Sequence, residues 1–168
     1  MSAPTLLVTG ASGHLGRAVV RHLLDTLNID PARVIATSRK PEALADLAAQ
    51  GVTVRAADFD RPDTLAEAFR GADRLLLVST DTLLEPGKRL VQHRAAVQAA
   101  VEARVKHVVY TSLPSPDTSH VSFAPDLLRT EQAQTASSLA RTLLRNAWYA
   151  ENLAYALPSA LASCEWVT

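Results

Sequence analysis

Short apolar runs alternate with stretches of helical periodicity from one end of the chain to the other, and this alternation leaves few folds open. Residues 5–9 (TLLVT) read as a buried strand. A helix is predicted over residues 13–27, where Leu15, Val19, Leu23 and Leu27 share one face. Further strands are predicted at 34–37, 52–55, 74–79, 107–112 and 141–145, the run RLLLVS at 74–79 being the most continuous and so the most central. Between them Pro41 and Pro62 open helices carrying Leu44, Leu47 and Ala48 and then Leu65, Ala68 and Phe69, with Gly51 and Gly71 placed to stop them. Helices over 85–104 (Leu90, Val97, Val101) and 125–138 follow, and a last one starts near Asn146 and is interrupted by Pro158. Six strands alternating with helices imply a mostly parallel sheet with right-handed crossovers. The expectation is α/β, a three-layer Rossmann fold with strand order 3-2-1-4-5-6, binding its ligand beyond strands one and four.

The first strand-to-helix turn carries Gly10-Ala11-Ser12-Gly13-His14-Leu15-Gly16, a G-x-x-G-x-x-G spacing inside a complete βαβ unit. Gly10 is expected to allow the tight turn, Gly13 to let backbone approach a pyrophosphate, and Gly16 to let the helix pack on the sheet. Free amides of the first helical turn would then face the anion. After strand two, where an acid would accept the ribose 2′-hydroxyl of NAD, stand Ser38, Arg39 and Lys40, with no acid before Glu42. A guanidinium there suits a 2′-phosphate, so NADP(H) is the expected cofactor; a solvated basic pair at a helix start is the alternative. Asp58 and Phe59 after strand three are placed to border adenine, or else are a helix-start acid and a core aromatic. Ser79 and Thr80 end strand four, and Thr111 and Ser112 end strand five, at the edge where a cofactor would pass.

The acid–base pair that accompanies such a cradle in short-chain dehydrogenases is missing. That pair is Tyr-x-x-x-Lys on one helical face. The tyrosines are Tyr110, Tyr149 and Tyr155; four positions on stand Pro114, Leu153 and Ser159, and the lysines are Lys40, Lys88 and Lys106. Reduction of an unactivated ketone needs a proton donor at the developing alkoxide. A quinone is more forgiving, because hydride addition gives a stabilised aromatic oxyanion that solvent can protonate, and orientation alone supplies much of the rate.

Composition adds exclusions. Lys plus Arg (17) balance Asp plus Glu (17) in 168 residues, so no net field favours nucleic acid or an anionic membrane. No apolar run reaches the ~18 residues of a membrane span, and no signal-like start precedes residue 5, which gives a cytoplasmic expectation by default. Cys164 is the only cysteine; it excludes an internal disulfide and reads as packing. The five histidines are scattered, and no metal site is expected.

The segments LLVTGASGHLG, SRKPEAL, AAQGVTVRAADFD, LLLVST, QHR, VKHVVYTSL and LLRNAWYAEN resemble the NmrA-like, atypical branch of the short-chain dehydrogenase/reductases, nearest to the bacterial type 2 NAD(P)H:quinone oxidoreductases. The resemblance implies hydride transfer from NADPH to a small quinone, or, in the manner of the NmrA regulators, non-catalytic sensing of NADP(H) for a protein partner. It puts Gly10 to Leu15 and Arg39 on the cofactor phosphates, Asp58 and Phe59 near adenine, and Ser79 and Thr80 beside the nicotinamide ribose. It lays Thr142, Leu143, Leu144, Arg145 and Asn146 along the nicotinamide, with Asn146 and Tyr149 bordering the quinone. Two positions depart from the family pattern: His14 stands for glutamine and Gln132 for lysine. His14 is a candidate proton donor or a bystander; Asn146 is a substrate contact, a helix N-cap, or both. Trp148 and Tyr149 form an aromatic wall or pack in a core. His93 and His107 read as structural, and residues 113–124 as a rim or lid of the substrate site. Residues 1–168 would form one NAD(P)-binding domain. The family's greater length, and an ending (CEWVT) that reads as the start of another strand, give the expectation of a fragment lacking a C-terminal substrate domain. A homodimer is a possible assembly.

Overall fold

The computed structural model describes residues 3–82 and 85–164. Its six strands are β1 (Leu6–Val8), β2 (Val34–Ser38), β3 (Thr53–Ala56), β4 (Arg74–Leu77), β5 (His107–Ser112) and β6 (Ala140–Arg145). All pair in parallel, in the order β3-β2-β1-β4-β5-β6. The predicted Rossmann order is the observed one.

Alternation within the central strands feeds two separate cores. Leu7 and Ile35 face one side, with Leu75, Leu77, Val108 and Tyr110. Against them pack Leu65, Ala68 and Phe69 of α3 (Leu65–Phe69), Ala96 and Ala100 of α4 (Lys88–Glu102), and Leu127 of α5 (Ala124–Ala136). Val8, Val34 and Ala36 point the other way, onto Val20 of α1 (His14–Arg21) and Leu47 of α2 (Ala45–Ala48). Side chains that are buried on both faces of a parallel sheet have no polar positions to spare, which is why these strands read as continuous apolar runs.

Several boundaries differ from expectation. The first helix is α-helical only to Arg21, and residues His22–Thr26 continue it as a π-helical turn. Pro41 and Pro62 each open a 3₁₀ turn before a short α-helix, because proline fits the first turn, where its missing N–H is not needed. The last helix, α6 (Ala150–Ser163), begins later than predicted and runs through Pro158 without a break. Cys164, expected to pack, is exposed at the left-handed residue that caps α6. Residues 165–168, expected to begin a strand, lie outside the described residues.

Candidate functional site

The chain reverses its sheet order between β1 and β4, and the loops leaving these two strands diverge there. Thr9, fully buried, ties the two exits together: its hydroxyl donates to the Leu76 carbonyl and accepts from the Val78 N–H at 2.9 Å. The Ala11 N–H donates to the Thr37 carbonyl at 2.9 Å, joining the same loop to the end of β2. Between these fastenings opens a crevice of about 760 Å³, counting its solvent-open mouth. Its lining comes from four strand exits: Gly10, Ser12 and Gly13; Ser38 and Arg39; Ala57 to Asp60; and Val78 to Asp81, with Gln92 from α4 behind them.

The glycines have the expected use with one change. Gly10 is left-handed (φ +60°) and accepts from the Gly13 N–H at 2.9 Å, closing the turn. A Cβ at Gly16 would lie 2.3 Å from the Gly10 carbonyl oxygen and 3.0 Å from the Ala11 Cα. Gly16 therefore lets the helix pack on the turn itself rather than on the sheet. The start of α1 carries no side-chain cap and no acid in its first turn. An uncapped helix start at a sheet crevice presents positive backbone to whatever anion enters.

Around that start the polar side chains converge. Ser12 Oγ and Ser38 Oγ lie 2.9 Å apart, and Ser38 Oγ also accepts from the Lys40 N–H at 3.0 Å. Arg39 and Lys40 are exposed. Arg39 reaches across the mouth to Asp81, with 3.6 Å between guanidinium and carboxylate. The other two acids of the lining are engaged: Asp58 accepts from the Asp60 N–H at 3.0 Å, and Asp60 accepts from Gln92 Nε2 at 2.9 Å with Lys88 3.8 Å away. Phe59 leans its ring into the larger core.

Of the remaining expected residues, Ala11 and Gly16 are buried, and His14, exposed, and Leu15, half-buried, are the first residues of α1. None of these four lines the crevice. Thr111 Oγ1 accepts from the Ser79 N–H at 2.9 Å, so the exits of β4 and β5 are bonded together. Ser112 Oγ donates to buried Glu131 at 2.6 Å, and Arg145 makes two bonds to the same carboxylate at 2.7 and 3.2 Å. Both side chains, expected on the cofactor, are thus turned toward α5. Thr142, set further back along β6, bonds His107 at 2.8 Å at the opposite end of the sheet from the crevice. Leu143 packs on the core and Leu144 is exposed. Asn146 follows β6, its N–H on the Ser112 carbonyl at 3.1 Å and its Nδ2 3.1 Å from Tyr149 Oη. Trp148 is 68% exposed and Tyr149 39%, so the aromatic wall faces solvent among the described residues and is not core.

Lining residues outside the expected set are Ser38, Ala57, Asp60, Val78, Asp81 and Gln92. Behind Gln92 stands His93, fully buried, which accepts from the Thr80 N–H at 3.0 Å. The available signal was the spacing of His93, three residues after Leu90 and four before Val97, which sets a polar residue on the apolar face of the helix. No group of three His, Cys, Asp or Glu side chains able to hold a metal exists among the described residues, and no described helix is long and apolar enough to cross a membrane.

Comparison with known proteins places this architecture. Quinone oxidoreductase 2 of Escherichia coli (strain K12) is 40% identical over 156 residues, 93% of this chain and 53% of that protein. A crystal structure of NADPH-dependent quinone oxidoreductase from E. coli complexed with NADPH superposes with a TM-score of 0.85 at 39% identity, covering 95% of this chain and 54% of that one. Triphenylmethane reductase of Citrobacter sp., crystallised with NADP(H), gives 0.87 at 35% identity over 95% and 55%. The chain spans about half the length of the curated relatives it matches. Residues 2–155 match the NmrA-like family, and the chain belongs to it.

Proposed function

We propose that this chain is the dinucleotide-binding part of an NADPH-dependent oxidoreductase whose acceptor is a quinone. The observation that carries the cofactor reading is the end of β2: Ser38 and Arg39 line the crevice beside Ser12, at the place where a carboxylate would accept a ribose hydroxyl. The residues fit the group in three further respects. The crevice lies at the order reversal of the sheet, the α1 start is uncapped, and a side chain at Gly13 would meet the Gly10 oxygen at 3.3 Å and crowd the approach to the backbone.

On this reading the α1 amides hold the pyrophosphate, and Arg39, with Ser12 and Ser38, holds the 2′-phosphate. Bound NADPH supplies a hydride from its reduced nicotinamide. The chain's own residues bind and orient. Tyr110, inside β5, cannot act as the acid: its phenol is fully buried against His93, and burial pushes its pKa up to about 12. Asn146 and Tyr149, already 3.1 Å apart in the turn that follows β6, would offer an amide N–H and a hydroxyl to an acceptor's oxygen. Positioning without a buried acid suits a quinone, whose reduced oxyanion takes its proton from water. The name of the E. coli relative, a quinone oxidoreductase, supports the same acceptor class.

Arg39→Asp tests the cofactor reading. A charge-assisted contact to phosphate is worth about 1.5–3 kcal/mol, so NADPH affinity should fall about 10- to 100-fold by calorimetry while NADH binding changes little. Equal losses for both nucleotides would remove the 2′-phosphate assignment. NADPH oxidation by a small quinone, followed at 340 nm in the complete protein, tests the acceptor.

The locking of Tyr110 also favours a second reading, a non-catalytic NADP(H)-sensing regulator. Strong discrimination between NADP⁺ and NADPH without turnover of any acceptor would select it.

A further inference from the structure

His93 lies in the middle of α4, 0% exposed, and touches three other parts of the fold through its two ring nitrogens. Nε2 is 3.0 Å from the backbone nitrogen of Thr80, in the loop leaving β4. Nδ1 is 3.2 Å from Thr130 Oγ1 on α5 and 3.1 Å from Tyr110 Oη on β5. A backbone N–H only donates, so Nε2 must offer its lone pair and the ring proton must sit on Nδ1. That tautomer suits the other side as well. The Thr130 hydroxyl spends its own proton on the Asp126 carbonyl at 2.7 Å, which leaves its oxygen free to accept from Nδ1. The Tyr110 hydroxyl can accept from the same Nδ1–H, and the Thr80 hydroxyl, 3.4 Å from Nε2, can donate to that nitrogen, so the contacts of the ring are all compatible with this one neutral form.

The Thr80 end of this network is where it meets the site. The β4 ladder stops at Leu77, so the residues beyond it have no strand partner to fix their path. Val78 is held by Thr9 and Ser79 by Thr111; Thr80 is held by His93. Ser79 and Thr80 line the crevice, and His93 does not. Packing alone would be served by leucine or phenylalanine at this core position. The imidazole also gives the buried Tyr110 and Thr130 hydroxyls a partner at Nδ1, and it is the Nε2 lone pair that supplies the acceptor for the Thr80 N–H.

We infer that His93 is a positioning residue of the crevice: its Nε2 lone pair anchors the Thr80 N–H and so sets the wall formed by Ser79 and Thr80 before a dinucleotide arrives. Burial, aided by the Arg89 charge on the same helix, pushes the His93 pKa down to about 3, so the lone pair persists at neutral and mildly acid pH. The inference rests on the dinucleotide reading above for its purpose, but the anchoring itself does not.

Two experiments separate these. In the ligand-free protein, ¹⁵N chemical shifts of the ring report which nitrogen bears the proton, and hydrogen exchange reports the Thr80 amide. The expected result is a proton on Nδ1 and a protected Thr80 N–H that loses protection in His93→Leu and largely regains it in His93→Gln, whose amide oxygen can accept. A proton on Nε2 in the wild type, or an unchanged Thr80 exchange rate in folded His93→Leu, overturns the inference; the tautomer decides it even if the leucine variant does not fold. NADPH affinity should fall about 10-fold in His93→Leu, equivalent to one lost hydrogen bond, and recover in His93→Gln. Wild-type protein that binds no NADPH defeats the cofactor reading instead, leaving the tautomer and the Thr80 amide to decide the anchoring.

Discussion

Arg39 and Asp81 face each other across the mouth of the crevice, 63% and 82% exposed, at 3.6 Å. So open a pair contributes little to folding. Its effect is on what binds: the Asp81 charge sits close to the guanidinium assigned to the 2′-phosphate, and any anion arriving there must displace or tolerate it. Asp81→Asn should therefore raise NADPH affinity by about two- to fivefold at low salt, less at high salt, with NADH almost unaffected, the size of one screened surface pair. Weaker NADPH binding in that variant would mean that Asp81 contacts the ligand. Arg39 was legible in the sequence because it directly follows an apolar strand at a known distance from the glycine turn. Asp81 was not, since its position depends on where the β4 exit is tied by Thr9, Thr111 and His93, and none of those bonds leaves a periodic trace.

Helix α4 begins with Lys88 and Arg89 and has no acid in its first turn, an arrangement that the helix dipole disfavours. Arg89 is 4% exposed, lies 4.5 Å over the Phe123 ring, and makes no hydrogen bond among the described residues; its Nε is buried without a partner. The π-face compensates only part of the desolvation. Arg89→Met, similar in volume and free of charge, should hold or raise the stability of the fold, by about 1 kcal/mol or more in chemical denaturation. A loss of that size would show that the cation earns its place through a partner. The same region bears on what the sequence could say about elements. The stretch after β5 was predicted to be long and irregular, and it is, but as consecutive turns around the Ser115 carbonyl ending at Phe123 on Arg89. Helix existence was readable from apolar spacing; the π-helical turn at residues 22–26 and the continuation of α6 through Pro158 were not, because both depend on local hydrogen-bond geometry that side-chain pattern does not encode.

At the scale of the whole molecule, the sheet order was legible from the strand count and the first βαβ unit, whereas the division of the predicted site was not. The cradle and the β2 end form one crevice; Ser112, Arg145, Asn146 and Tyr149 gather separately beyond β5 and β6, linked to it through the Ser79–Thr111 bond. Acid stability also belongs to this scale. His93 has a folded pKa of about 3 against an ordinary 6.5, so between those values the unfolded chain takes up a proton that the folded chain refuses. Stability should decline as pH falls from about 6.5 toward 3, and His93→Gln should flatten that limb in thermal melts. The charge that acts on the ring is Arg89 on its own helix, and Tyr110 on β5 touches it; of the acids on α5, Asp126 acts on Arg89 and Glu131 on Tyr110. Asp46 and Asp73, held below the usual carboxylate range by hydrogen bonds from Arg17 and Lys106, act in the same direction but only below about pH 4. An acid limb of equal depth in wild type and His93→Gln, confined to that lower range, would assign it to these carboxylates instead.

The contact between Gly16 and the Gly10 carbonyl has a consequence for how such a protein can drift over generations. One pair of backbone segments both seats the helix and aims its amides, with no side chain between them to be exchanged for a slightly better one. On the proposed reading, affinity for the phosphates and attachment of the helix are therefore a single inherited trait at that spot, and refinement of ligand preference would run through the more changeable side chains at Ser12, Ser38, Arg39 and Asp81.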